Sequence, residues 1–247
     1  MSAHESPGDL QRSYYAATAQ TYENAHVHED DEHFFALAWL AGLMQHYRVG
    51  SVLDVGSGTG RALTYLKQRF PESKLIGIEP STELRAVGHQ AGLTAEQLTT
   101  GDATKLDFAD ESFDIVCEFG VLHHIKEPRK AISEMMRVAR LGIFISDDNH
   151  FAGGSRANQF VKRTLNAFGL WDAAYRLRTG GKGYRISAGD GLSYPYSVFD
   201  DHDYIRRWCD RVYVINLKGT GPDLLANAPN VALFGKKSGM PASAMNG

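Results

Sequence analysis

The stretch VLDVGSGTGRAL at 52–63 sets the reading of the whole chain. Val52, Leu53 and Val55 form a short apolar run of the strand type. Glycines follow at 56, 58 and 60, and Arg61, Ala62 and Leu63 open a helical pattern. A strand that turns through glycines into a helix lets bare backbone approach a ligand closely, and the helix N-terminus behind it favours a negatively charged group. Dinucleotide-binding turns space their glycines G-x-G-x-x-G to seat a pyrophosphate. Here the spacing is G-x-G-x-G, with Arg61 in the place of the third glycine. The turn suits a nucleoside-type ligand that presents an amino-acid end instead of a pyrophosphate.

On either side of this turn the periodicity alternates. Helical patterns at 10–22 and Glu32–Tyr47 come first, the second with Phe34, Leu37, Ala38, Ala41 and Met44 on one face. Strand Ser51–Val55, helix Arg61–Arg69, strand Lys74–Ile78 and a helix at 81–90 follow, with Ser81 as its N-cap and Gly92 just past its end. Next come a short strand at 98–101, strand Phe113–Phe119, a helix at 128–139 with Pro128 in its first turn, and a strand at 141–146. Buried strands joined through helices require crossover connections, hence a parallel sheet covered on both faces. A helix at 198–209 and strands at 212–217 and 231–234 end the pattern, and their short, turn-rich link predicts antiparallel pairing. The expected fold is α/β: a Rossmann-like doubly wound seven-stranded sheet, mostly parallel with an antiparallel final strand, helices on both faces, plus a lid insertion. One domain spans 1–247. It divides into N-terminal helices (1–47), a cofactor-binding core (48–147), an acceptor-binding lid (148–197), the final helix and strand pair (198–237) and a flexible tail (238–247).

Carboxylates stand at successive strand ends. Asp54 closes the first strand, where it can accept from an ammonium group or a water. Glu79 follows the second, and one carboxylate offers two acceptors to the vicinal hydroxyls of a ribose. Asp102 follows the third, with Ala103 as a backbone donor, in reach of an exocyclic amine. These segments, VLDVGSGTG, IEPS, GDATKLDF and FDIVCEFGVLHHI, in this order, resemble class I S-adenosylmethionine-dependent methyltransferases, particularly their broad small-molecule group. The resemblance covers about residues 50–147. It implies S-adenosylmethionine as cofactor, with Asp54, Gly56, Gly58 and Gly60 at its methionine end, Glu79 and Pro80 at the ribose, and Asp102 and Ala103 at adenine. Glu118, Phe119 and Gly120 would pass under the sulfonium. It also implies an N-terminal tyrosine closing over the cofactor, for which Tyr14, Tyr15 and Tyr22 stand as candidates beside their plain reading as helix aromatics.

His123 and His124 follow the fourth strand, at the edge where open α/β sheets place ligands, and either can act as a general base on the acceptor. No metal site is assigned, and a divalent ion on the acids and histidines at 147–150 and 199–204 stands as the lesser alternative to a plain helix cap. Asp147, Asp148, Asn149 and His150 follow the fifth strand, and Asp200, Asp201 and Asp203 in FDDHDY read as a helix N-terminal cap. The segment 151–196, with its arginines and aromatics and a helix expected over 158–178, reads as a lid for an anionic or polyhydroxylated acceptor, or else as a structural or oligomer-forming insertion.

Composition agrees with a folded domain handling small molecules: 43% hydrophobic and 22% charged residues, with a net charge of −3. An overall acidic balance gives no general field for nucleic acid or anionic lipid, so neither nucleic acid nor membrane is expected as a partner. Cys117 and Cys209 are too sparse for a disulfide framework. The first residues carry no export signal and no apolar run approaches ~18 residues, so a cytoplasmic location is expected. The acceptor and its reacting atom, the use of a general base or a metal ion, the pathway and the oligomeric state are left open. A non-catalytic binding subunit and, disfavoured by the glycine spacing, a nicotinamide oxidoreductase remain the competing readings.

Overall fold

The computed structural model describes residues 7–26 and 31–237, with backbone alone at 7, 9, 12 and 20–26. Two helices, α1 (Pro7–His26) and α2 (Glu32–Tyr47), precede β1 (Ser51–Val55), α3 (Arg61–Arg69), β2 (Lys74–Ile78), α4 (Thr82–Gln90) and a two-residue β3 (Leu98–Thr99). Then come β4 (Phe113–Phe119), a 3-10 turn at Leu122–His124, α5 (Pro128–Val138) and β5 (Ala139–Asp148). The segment after β5 holds α6 (Arg156–Ala167), α7 (Trp171–Arg178) and a small hairpin, β6 (Arg185–Ser187) with β7 (Gly191–Ser193). Helix α8 (His202–Trp208), β8 (Cys209–Lys218), the short α9 (Leu224–Asn227) and β9 (Asn230–Lys237) complete the chain.

The main sheet has seven strands in the order β3-β2-β1-β4-β5-β9-β8. Strands β3, β2, β1, β4 and β5 pair in parallel, and β9 runs antiparallel between β5 and β8, as the sequence led us to expect of the final pair. Alternate residues feed two cores. Val52, Ile115, Phe144 and Phe234 point to the side of α2 and α3, meeting Leu37, Leu40, Leu63 and Leu66. Their neighbours Leu53, Val116, Ile143 and Leu233 point to the side of α5 and α8, meeting Ile132, Met135 and Ile205. Ile132 and Met135 are fully buried, each contributing on the order of 1.5–3 kcal/mol.

Caps fix the helix starts. Asp31 accepts from Phe34 N at 2.7 Å, Ser81 from Leu84 N at 3.2 Å and Ser155 from Asn158 N at 3.3 Å. Three expectations are corrected. The single helix over 158–178 is two, because Gly169 at φ +67° turns the chain between α6 and α7. The helix over 198–209 is a 3-10 turn at Val198–Asp200 followed by α8, and Cys209 already belongs to β8. Of the acids read as a helix cap, Asp200 forms a capping box with Ser197, whereas Asp201 sits at the N-cap of α8 without a cap bond and instead accepts from Arg129 Nε at 2.7 Å. The expected tail, 238–247, lies outside the described residues.

Candidate active site

The strand order reverses between β1 and β4, which opens a crevice outside their carboxyl ends. A cavity of about 350 Å³ occupies it. Its floor is the glycine turn. Gly56 N donates to Ile78 O at 2.8 Å with φ at +70°, and a Cβ there would lie 2.5 Å from Val121 Cγ2. Only glycine lets the turn close this tightly against the chain leaving β4.

One carboxylate sits at this floor. Glu79, 4% exposed, takes Gly58 N on Oε2 at 3.1 Å and Ser81 N on Oε1 at 2.8 Å. Burial pushes its carboxyl up to about 7, against the pull of those two donors. Asp54 is buried beside a separate recess of about 30 Å³, lined by the glycine turn and Arg61, and its Oδ2 accepts from Ser57 Oγ at 2.5 Å. Burial raises it to about 6, with Ser57 and Arg61 opposing. Asp102 is exposed at the far wall, where Oδ1 accepts from Thr104 N at 2.8 Å and so shapes the turn that presents Ala103.

Two histidines on the 3-10 turn after β4 are held differently. His123 Nδ1 lies 2.7 Å from Asp147 Oδ1, while the other Asp147 oxygen accepts from Leu122 N at 2.7 Å. Burial alone would lower His123, but Asp147 outweighs it and holds the imidazole well above its ordinary value. His123 Nε2 lies 3.4 Å from Asp190 Oδ2, on the turn of the β6–β7 hairpin. His124 donates from Nδ1 to Leu192 O at 2.6 Å, and its Nε2 lies 3.5 Å from Asp190 Oδ1. Burial and the neighbouring His123 push His124 down to about 4, leaving it neutral at pH 7. The ligand atoms of His123, His124 and Asp190, and those of His123, Asp147 and Asp148, lie close enough to hold a metal ion.

The cavity brings together Gly56, Gly58, Glu79, Pro80, Asp102, Ala103, Phe119 and His124 from the sequence-derived set. Gly60, at φ +84°, is the N-cap of α3 behind the turn. Glu118 is fully buried and turned away, with its oxygens accepting from Val121 N at 2.8 Å and Ser146 N at 3.0 Å. Tyr14 ties α1 to Ala188 O at 3.2 Å, whereas Tyr15 lines the cavity edge-on to His124. The Tyr22 side chain lies outside the described residues. Sequence reasoning missed Gln11, which lines the cavity and pins the hairpin by donating to Asp190 O at 3.3 Å and accepting from Leu192 N at 2.5 Å. It also left Asp190 unassigned. Nothing local marks either residue, since their partners lie about 180 positions away in the chain.

Residues 53–145 match the family model described as "Methyltransferase domain". A phosphatidylethanolamine N-methyltransferase of Cereibacter sphaeroides is 36% identical over 126 residues, 49% of this chain and 61% of that protein. A demethylmenaquinone methyltransferase of Roseiflexus sp. (strain RS-1) is 34% identical over 98 residues, 39% of this chain and 41% of that protein. The chain thus spans less than two thirds of either relative. Among solved structures, a SAM-dependent methyltransferase of Thermotoga maritima, titled a possible histamine N-methyltransferase, superposes with TM-score 0.61 at 19% identity, covering 92% of this chain and 99% of that one. At that identity the likeness is one of fold. The cofactor of the family is S-adenosylmethionine. A glycine cradle that a Cβ would fill, a two-oxygen acceptor at Glu79 and a recess beside Asp54 fit its nucleoside and amino-acid ends.

Proposed function

We propose that this chain, which belongs to the class I S-adenosylmethionine-dependent methyltransferases, transfers a methyl group to the oxygen, nitrogen or carbon of a small-molecule acceptor in the cytosol. The observation that carries the reading is adjacency: His124 forms a wall of the nucleoside-sized cavity, and the His123–Asp147 pair stands directly beside it. When bound, the cofactor supplies an electrophilic methyl on a sulfonium, so the chain's work is to orient the acceptor, exclude water and take up a proton. In this reading Asp54 and the glycine turn hold the amino-acid end, Glu79 the ribose, and Asp102 with Ala103 the adenine. Phe119 backs the reacting methyl, and Gln11 and Tyr15 close the mouth.

In its deprotonated form, reached only as pH rises past the value that Asp147 imposes, His123 takes the acceptor's proton at Nε2 while Asp147 keeps Nδ1–H oriented and offsets the imidazolium charge that results. His124, neutral and tied to Leu192 O, packs against the cofactor side. Lid residues 188–194 cover the acceptor. Relatives named for phosphatidylethanolamine and demethylmenaquinone support an acceptor of small-molecule size.

The test has two stages. Calorimetry with S-adenosylhomocysteine, beside Glu79→Ala and a titration with NAD, reads the cofactor site. Methyl-labelled cofactor with a panel of amine, phenol and quinol acceptors then reads turnover, with His123→Gln at saturating cofactor as control. Binding of S-adenosylhomocysteine that Glu79→Ala abolishes, followed by turnover that His123→Gln lowers, supports the reading. Preference for NAD, or no transfer to any acceptor class, would sink it.

A further inference from the structure

Among the described residues, six of the eight large apolar side chains standing in solvent fall between 160 and 186. Phe160, Val161, Phe168, Leu170, Leu177 and Ile186 are 52 to 85% exposed. Helix α6 is turned opposite to a core helix and buries no residue. Its polar Gln159 faces the protein, donating to Ala152 O at 2.6 Å and Gly154 O at 3.2 Å. Lys162 does the same to Gly153 O at 2.7 Å and to His150 O. Phe160 and Phe168, two turns apart, are left outward at 72 and 76% exposure.

The charge of this segment is equally unlike the rest. Residues 156–187 hold seven Lys and Arg against one acid, Asp172, while the remaining chain holds 19 against 28 and so carries −9. A net charge of −3 conceals a strongly basic, apolar-tipped patch on an acidic body.

We propose that the α6–α7–β6 segment is a docking surface for an anionic lipid bilayer, entered by its exposed apolar side chains while its arginines and Lys182 meet the lipid phosphates. The association is peripheral, since among the described residues no helix is long and apolar enough to cross a membrane. Nucleic acid would use the positive charge but has no use for Val161, Leu170, Leu177 and Ile186, which offer no ring for a base to stack on. A second copy of this chain docked patch to patch would set like charge against like charge. The inference stands whether or not the chain transfers methyl groups.

The test is co-sedimentation of the full chain with phosphatidylcholine vesicles, with and without phosphatidylglycerol. Binding at least ~10-fold tighter to the anionic vesicles, and weakening as salt rises, is the expected result. Phe160→Ser with Phe168→Ser, both on the outer face, removes most of that binding and leaves the affinity for S-adenosylhomocysteine unchanged, which shows the variant folded. Leu177→Ser at the other helix gives a smaller loss in the same direction. Equal binding to neutral vesicles, undiminished binding by the double variant, or no sedimentation with either vesicle overturns the proposal. So does a dimer in light scattering that the double variant abolishes, because the face would then belong to a second copy.

Discussion

Replacing Glu79 by glutamine separates what this carboxylate does for the ligand from what it costs the fold. Its ionised form is disfavoured by burial, which moves it from 4.5 up to about 7. At about 1.4 kcal/mol per pH unit this corresponds to ~3 kcal/mol between the fully protonated and fully ionised limits. Because the folded state binds this proton more tightly than the unfolded chain, stability falls as pH rises from 4.5 through 7 and is flat beyond. Glutamine cannot ionise, so urea unfolding at a series of pH values between 5 and 8 should show the variant gaining on the wild type by ~3 kcal/mol. The lost acceptor for Gly58 N offsets this by a constant ~1–3 kcal/mol at every pH and leaves the slope untouched. Binding moves the other way. Ribose hydroxyls donating to a carboxylate form charge-assisted bonds worth ~1.5–3 kcal/mol, so S-adenosylhomocysteine should bind the variant roughly 10- to 100-fold more weakly at pH 8. A stability difference that stays constant with pH, or a variant that binds the ligand as well as the wild type, would refute the reasoning.

Asp147→Asn removes the charge that holds His123 above its ordinary value, so the rising limb of the pH–rate profile should move to lower pH while the plateau falls by about 10- to 100-fold. A profile that keeps its position would show that His123 is not the group titrating. Gly56→Ala drives a Cβ to 2.5 Å from Val121 at φ +70°. It should lower stability by ~2–4 kcal/mol in denaturant titrations, and Val121→Ala should restore part of the loss. Gln11→Ala breaks the two bonds that pin the 190–192 turn, so amides of α1 and the hairpin should exchange faster by hydrogen–deuterium measurement, with the affinity for S-adenosylhomocysteine falling several-fold. Dialysis against EDTA should leave turnover intact, because Asp147 and Asp190 flank His123 without needing an ion; loss restored by a divalent cation would make His123, His124 and Asp190 ligands instead.

The parallel sheet was legible because each buried strand writes its own apolar run and each carboxyl end its own acid or glycine. Gly56, Gly58, Glu79 and Asp102 are local signals, and they reached the same cavity, with Asp54 at the neighbouring recess and Gly60 behind the turn. What lay beyond local reading was direction and long-range pairing. Glu118 sits in the right register, yet the alternation of a strand sends its side chain into the β5 backbone rather than the cavity. His123 and His124 are adjacent letters with opposite environments, and only Asp147 and Leu192, brought in from distant segments, tell them apart. The 151–196 segment misled in another way. Its 3.6-residue pattern runs across Gly169 without a break, so a helix was foreseen where a corner stands, and a period says which residues share a face without saying whether that face looks inward.

The place of β9 carries a consequence for how the protein is made. It lies between β5 and β8 although it follows both in the chain, so during synthesis residues 209–218 have no sheet neighbour until 230–237 leave the ribosome. Until then the nascent chain presents two unsatisfied strand edges: the outer side of a nearly finished parallel sheet, and the unpaired ten-residue β8. Insertion of one late segment then closes both at once, with Phe144 opposite Phe234 on one side and Val214 opposite Leu233 on the other. A ribosome paused before residue 230 would hold the chain at its most adhesive moment, when chaperone capture competes with completion of the sheet.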